Sequence, residues 1–269
     1  MMTCQDGDCG PMIRTSDMTD TPRGVDGCRE KIMIAFHGDA QLKRDLLMEV
    51  ADHRLHDQII KGTYGQGSNG DWKGCAVACS IHSLNRKNGR KRYDTSDHSA
   101  FEPLAGVPRQ LAHLQDYIFE RLPEPKHIDW PERFWAAIQP GADLSLVAPR
   151  FVHWLLSDLL PKVKNKQTRE SFDIVIGLYR RWIDADKPSE TEWSEAYRIA
   201  GSDGPPAGYA ADAARDAARY AARYAADAAD DACYAARYAA AVEAQADKLI
   251  ELLQGAPLGT ANANHEANS

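Results

Sequence analysis

Apolar residues return at three- and four-residue steps along most of this chain and hardly ever alternate with polar ones. That is the spacing of amphipathic helices rather than half-buried strands. It predicts a mainly α fold: a single multi-helix domain with a long Ala-rich C-terminal helix and at most one short strand. Asp39 stands where an N-cap belongs, ahead of a helix over about 40–60 in which Leu42, Leu46, Val50 and Ile60 share one face. Gly62, Gly65, Gly67, Gly70 and Gly74 then crowd a loop that neither helix nor strand tolerates. A short helix is expected to begin at Cys75 and run to about Leu84. Pro108 and Pro131 suit the first position of helices in "PRQLAHLQDYIFERL" and "PERFWAAI". Further helices are expected in "DLSLVAPRFVHWLLSDLL", closed by Pro161, in "RESFDIVIGLYRRWID" and in "SETEWSEAYRIA". The hexapeptide "KIMIAF" (31–36) fits either a short strand or a helix start.

The same pattern divides the chain. Residues 1–28 carry no apolar period and read as a flexible tail, 29–200 as the helical domain with its Gly-rich loop, 201–256 as the Ala-rich helix, and 257–269 as a second tail. Between 209 and 254 there is no Gly or Pro, and Ala, the best helix former, dominates. Unbroken, that helix would reach about 70 Å, so a bend or a protrusion is expected. Tyr209, Tyr220, Tyr224, Tyr234 and Tyr238 fall in one stripe, and the opposite side is nearly all Ala. This suits a scaffold helix lying on the body of the protein, or a surface for self-association or for a host protein. It has neither the apolar depth nor the basic face of a membrane helix.

Composition narrows the setting. With 43% hydrophobic residues the chain can build a core, and a formal charge of −7 argues against a dedicated nucleic-acid coat. No apolar run approaches the roughly 20 residues that cross a bilayer, and the N-terminus lacks the apolar stretch of a secretory signal. The cytoplasm is therefore the expected compartment, where six cysteines serve as thiols, ligands or nucleophiles rather than bridges. One basic turn, Arg86, Lys87, Arg90, Lys91 and Arg92, is either a solvated loop or a patch for phosphate or a nucleic-acid backbone, which Lys162, Lys164, Lys166 and Arg169 would extend.

Candidate chemistry gathers around "GDWKGCAVACSIH" (70–82). His53 and Asp57 lie in the middle of the apolar face of the 40–60 helix, where polar groups must find partners; at i,i+4 they can satisfy each other. Cys75 opens its helix behind Lys73 and Gly74, where free N–H groups and the helix dipole favour a thiolate. Cys79 and His82 follow on the same face. Three readings result. In the first, Cys75 is a nucleophile, His53 its general base and Asp57 the orienting acid of a thiol-dependent hydrolase or group-transfer enzyme. In the second, Cys75, Cys79, His82 and His53 bind zinc, the only cofactor any reading calls for, in a helical binding module. In the third the cysteines are small buried residues, the His–Asp pair ties down the loop, and the protein binds a host protein or nucleic acid without catalysis.

The runs "HRLHDQIIKGTYG", "KGCAVACSIH", "GVPRQLAHLQDYIFERLP", "WPERFWAAI" and "GADLS", spread over about residues 37–158, resemble a group of bacterial and bacteriophage proteins of unassigned function, often with an Ala-rich tail. The resemblance implies a bacterial or phage source and no particular reaction. Ala78 stands where glycine would be expected.

Overall fold

The computed structural model describes residues 33–56, 58–67, 71–88, 92–199 and 231–259. Among them, helices are the regular structure, and the only β pairing is a set of isolated bridges. Nine α-helices follow in order: α1 (Ala40–Leu55), α2 (Ala76–Asn88), α3 (Phe101–Ala105), α4 (Arg109–Arg121), α5 (Lys126–Ala137), α6 (Val147–Leu159), α7 (Lys166–Ile183), α8 (Glu190–Ile199) and α9 (Asp231–Gln254). The protein is a mainly α domain, and none of its described helices is long and apolar enough to cross a membrane.

Asp39 caps α1 as its position in the sequence suggests, accepting the N–H groups of Gln41 at 2.7 Å and Leu42 at 3.3 Å. The helix ends earlier than expected, at Leu55 rather than near residue 60. The cause is a competing partner for the backbone: Ile60 N–H donates to Gly74 O at 2.9 Å and Gly74 N–H to Gln58 O at 2.9 Å, so residues 58–60 run extended beside the far end of the glycine loop. Pro131 is likewise not at a helix start. It lies inside α5, which begins a turn and a half earlier and gives up one backbone hydrogen bond there. Of "KIMIAF", the described residues 33–36 form no strand and no helix start beyond one 3₁₀ turn, Ala35–Gly38, behind a single bridge from Ile34 to Asp143.

The helix that opens behind the glycine loop is the centre of the fold. Every residue from Gly74 to Ile81 is buried, and α2 packs against α1, α3, α4 and α5. Such an enclosed helix needs small residues so that neighbours can approach, and Ala76, Ala78, Cys79 and Ser80 supply them. The approach is tight. A Cβ at residue 74 would lie 2.8 Å from the Ala78 methyl and 2.8 Å from the Trp72 ring, so glycine at 74 and alanine at 78 together set how closely the loop seats. Trp135 fills the opposite side with Phe36, Phe101 and Phe134 around it, at ring separations of 5.8, 5.0 and 5.2 Å.

Beyond this centre, α6 pairs with α7, and α9 lies across α4, α5 and α6. Val242, Ala246, Leu249 and Leu253 of α9 are buried at helical spacing, so this part of the Ala-rich segment is a scaffold on the body. Residues 200–230, with Tyr209, Tyr220 and Tyr224 of the expected stripe, lie outside the described residues. The ends of the described chain meet at one loop. Ala35 N–H donates to Ala142 O at 2.9 Å, Asp143 N–H to Pro257 O at 2.8 Å and Gly259 N–H to Gly141 O at 2.8 Å.

Ser80 is the polar pin of the core. Its hydroxyl donates to Ala76 O at 2.7 Å and accepts the Trp135 indole N–H at 2.8 Å, all out of water. Ser80→Ala strands the indole donor, and the expected loss is about 1–3 kcal/mol. Urea unfolding checks this: the midpoint falls while the slope stays unchanged.

Candidate functional site

Two polar clusters flank α2, and they divide the residues that the sequence placed together. The first surrounds His53. Its ring is buried, with Nδ1 2.6 Å from Gln58 Oε1 and Nε2 3.1 Å from Ser83 Oγ. A neutral ring satisfies both, with Nδ1–H donating to the amide oxygen and Nε2 accepting from the hydroxyl. Trp72 stacks on His82 at 4.2 Å and 11°, and both rings lie against His53. Burial holds the pKa of His53 below the ordinary 6.5, more than Gln58 and the nearby acids raise it. His82 is lowered by burial, with His53 and Arg86 adding to the effect.

The second cluster surrounds Cys75. This residue is the last before α2, its N–H donating to Thr63 O at 2.8 Å and its side chain 1% exposed. The N–H groups of Val77 and Ala78 do reach toward the sulfur, as a helix start should allow. They are outweighed: burial first, and then the carboxylate of Asp116, push the thiol pKa far up. Cys79 donates to Gly74 O at 3.4 Å, and burial pushes its thiol up to about 12.

Asp116 anchors this cluster from α4. Its Oδ2 accepts Tyr64 O–H at 2.8 Å and lies 3.1 Å from His98 Nε2. The other ring nitrogen of His98 faces Ser96 O at 3.0 Å. Burial raises the Asp116 carboxyl, but the hydrogen bonds from His98 and Tyr64 win and leave it below the usual range. One turn on, Glu120 takes the Gly62 N–H on both oxygens, at 3.1 and 3.0 Å; burial and then Asp116 raise its pKa. His113 stacks on His98 at 4.1 Å and 10°. The glycine loop is thereby stitched to α4 through Gly62, Tyr64 and the Lys61 ammonium, which donates to Leu122 O at 2.6 Å.

The structure thus does not bring Cys75 and His53 together as nucleophile and base. The imidazole has both nitrogens engaged elsewhere, and the sulfur faces a carboxylate. Asp57 lies outside the described residues, so its place as orienting acid has no geometry. The set Cys75, Cys79, His82 and His53 is not gathered either. Among the described residues, the group whose ligand atoms converge is Cys75, Asp116 and Glu120, within 4.8 Å of one another. The cysteine side of α2 faces packed protein rather than an open site. In the basic turn, Arg86 pairs with Glu49 at 3.1 Å and Lys87 with Asp45 at 3.6 Å, which leaves Arg92 exposed; Arg90 and Lys91 lie outside the described residues. Of the basic residues further along, Lys162 pairs with Asp158 and Lys166 with Glu170.

Asp116, Glu120, Tyr64, His98 and His113 were not singled out in the sequence. The signal was present in "HLQDYIFE", where His113, Asp116 and Glu120 stand at i, i+3 and i+7 on one face of α4. Compared with known proteins, the chain matches no family model, no curated protein and no solved structure.

Two outcomes follow from these environments. At about pH 8 the folded protein shields Cys75 and Cys79 from iodoacetamide, and both react once urea unfolds it; mass-spectrometric mapping of labelled peptides reads this. The second concerns acid. A histidine whose folded pKa lies below its unfolded value binds fewer protons in the folded state, so the stability it lends is complete above about 6.5 and is lost as pH falls toward the folded value. His53, His82, His127 and His153 all shift that way, burial being the first cause in each. Denaturation midpoints should therefore drop from about pH 7 to about pH 5, and His53→Gln should flatten the dependence.

Proposed function

We propose that the protein is a non-catalytic helical binding module whose glycine loop is fastened by a zinc-type cation held by Cys75, Asp116 and Glu120. The observation that carries this reading is the convergence of one sulfur and two carboxylate donors within 4.8 Å, at the point where the loop enters the central helix. Sulfur with carboxylate oxygen suits zinc better than calcium or magnesium, which take oxygen alone.

Electrostatics support it. Burial first, and the negative charge of Asp116 after it, raise the pKa of Cys75, Tyr64 and Glu120, so each ionised neighbour is disfavoured where it stands. A divalent cation turns that repulsion into attraction and allows the sulfur to ionise. His98 and Tyr64 hydrogen-bond one oxygen of Asp116, while the buried Oδ1 has no hydrogen-bond partner. This is how an outer shell orients a ligating carboxylate. The burial of the thiol, and the engagement of both His53 nitrogens by Gln58 and Ser83, weigh against a thiol-dependent reaction.

The test is metal content and melting of the full chain purified without chelator. The expected result is close to one equivalent of zinc, with chelation lowering the melting temperature by about 5 °C or more. Cys75→Ser and Asp116→Asn should each abolish retention. A protein that carries no metal above the buffer background and melts identically with and without chelator would sink the reading.

A further inference from the structure

A second feature lies on a different part of the molecule and shares no residue with the Cys75 cluster. Helices α6, α7 and α9 leave a groove of about 720 Å³ between them, within the size range of small-ligand sites. Each helix presents a stripe to it at helical spacing: Arg150, His153 and Trp154 from α6, Arg180 and Asp184 from α7, and Lys248 from α9. We propose that this groove binds a nucleotide, its phosphate held by Arg150, Arg180 and Lys248 and its base laid on the face of Trp154.

Charge sets the sign of the ligand. Arg150 and Arg180 have no ion-pair partner among the described residues, although Asp184 stands four residues from Arg180, where a pair could form. Lys248 is held by Glu251 at 2.6 Å. Counting Asp184 and Glu251 against the three cations still leaves positive charge in excess, an unusual local balance on a chain of net charge −7. Two guanidinium groups lining one groove offer the forked donors that match phosphate oxygens.

The remaining lining sets the rest of the ligand. Trp154 is only partly buried, leaning against Phe151 at 5.9 Å between ring centres, and stacking of a base on such a ring is tolerant of base identity. His153 lines the groove together with the arginines and the tryptophan, and its Nε2, out of solvent, has no hydrogen-bond partner among the described residues. Burial and then the charge of Arg180 hold the pKa of that ring below its ordinary value, against the opposing pull of Asp184. A bare anion uses only the arginines, and a bare aromatic only the tryptophan; a nucleotide uses both.

Calorimetric titration of the full chain with AMP, adenosine, inorganic phosphate and a single-stranded oligo-dT tests this. AMP is expected to bind at least about tenfold more tightly than adenosine or phosphate. Arg150→Gln and Arg180→Gln should each weaken AMP by about tenfold while leaving the melting temperature unchanged, and Trp154→Leu should weaken AMP without changing the response to phosphate. Displacement of AMP by the oligonucleotide identifies the source of the nucleotide as a nucleic-acid strand, and no displacement identifies it as free nucleotide; either outcome upholds the site. No heat with millimolar AMP, equal affinity for AMP and phosphate, or arginine variants that bind as the wild type does would each overturn it. Because the groove and the metal cluster have no residue in common, AMP binding by Asp116→Asn separates failure of one proposal from failure of the other.

Discussion

Enclosure of a single helix is the constraint on which the rest of the structure depends. α2 is buried on all sides from Ala76 to Ile81, and a helix surrounded in this way must carry small side chains where other backbones and rings close in. Ala76, Ala78, Cys79 and Ser80 meet that demand, and Trp135 reaches in to bond the one hydroxyl among them. The loop before it must be equally spare. Gly74 has no room for a methyl group beside Trp72 and Ala78, and Gly67 has none beside the Asp71 carbonyl, 2.5 Å from where its Cβ would be. Gly74 thus serves close approach of the loop to the core and Gly67 close approach within the loop, whereas Gly62, at φ +78° with nothing within 4 Å of where its Cβ would be, serves the backbone conformation.

That enclosure also decides the chemistry of the cysteine. Two opposing influences act on one sulfur. The start of a helix favours a thiolate by about 0.3–1 kcal/mol. Full burial shifts an ionisable group by up to about 3–5 pKa units, each unit about 1.4 kcal/mol. Burial wins, and the carboxylate of Asp116 adds to it. A sulfur in that position is a poor nucleophile, but it is a reasonable ligand once a cation supplies the charge that the surroundings lack.

Much of this was legible in the sequence, for physical reasons that can be named. Asp39, the apolar period of each helix and the glycine cluster are local signals, and the elements they mark exist. The end of α1 was not legible, because it is set by Gly74 pairing with residues that are distant in sequence from the helix start. Placing His53 on a buried face was correct, and that is a periodicity argument. Choosing its partners was not, since periodicity says which side a ring faces and not what waits there: Gln58 and Ser83 took both nitrogens. The i, i+3, i+7 set of His113, Asp116 and Glu120 was readable as one helix face, but a polar face on an amphipathic helix is normally the solvated one. Only the seating of the glycine loop over α4 covers it.

Cobalt(II) titration of the metal-depleted protein, followed by absorption, tests most directly whether the sulfur and the two carboxylates act as one site. If Cys75 is a ligand, a thiolate-to-cobalt charge-transfer band grows to one equivalent, disappears in Cys75→Ser and persists in Cys79→Ser. Visible bands without charge transfer, or a charge-transfer band that survives Cys75→Ser, would contradict the account and leave Cys75 as a packing residue alone.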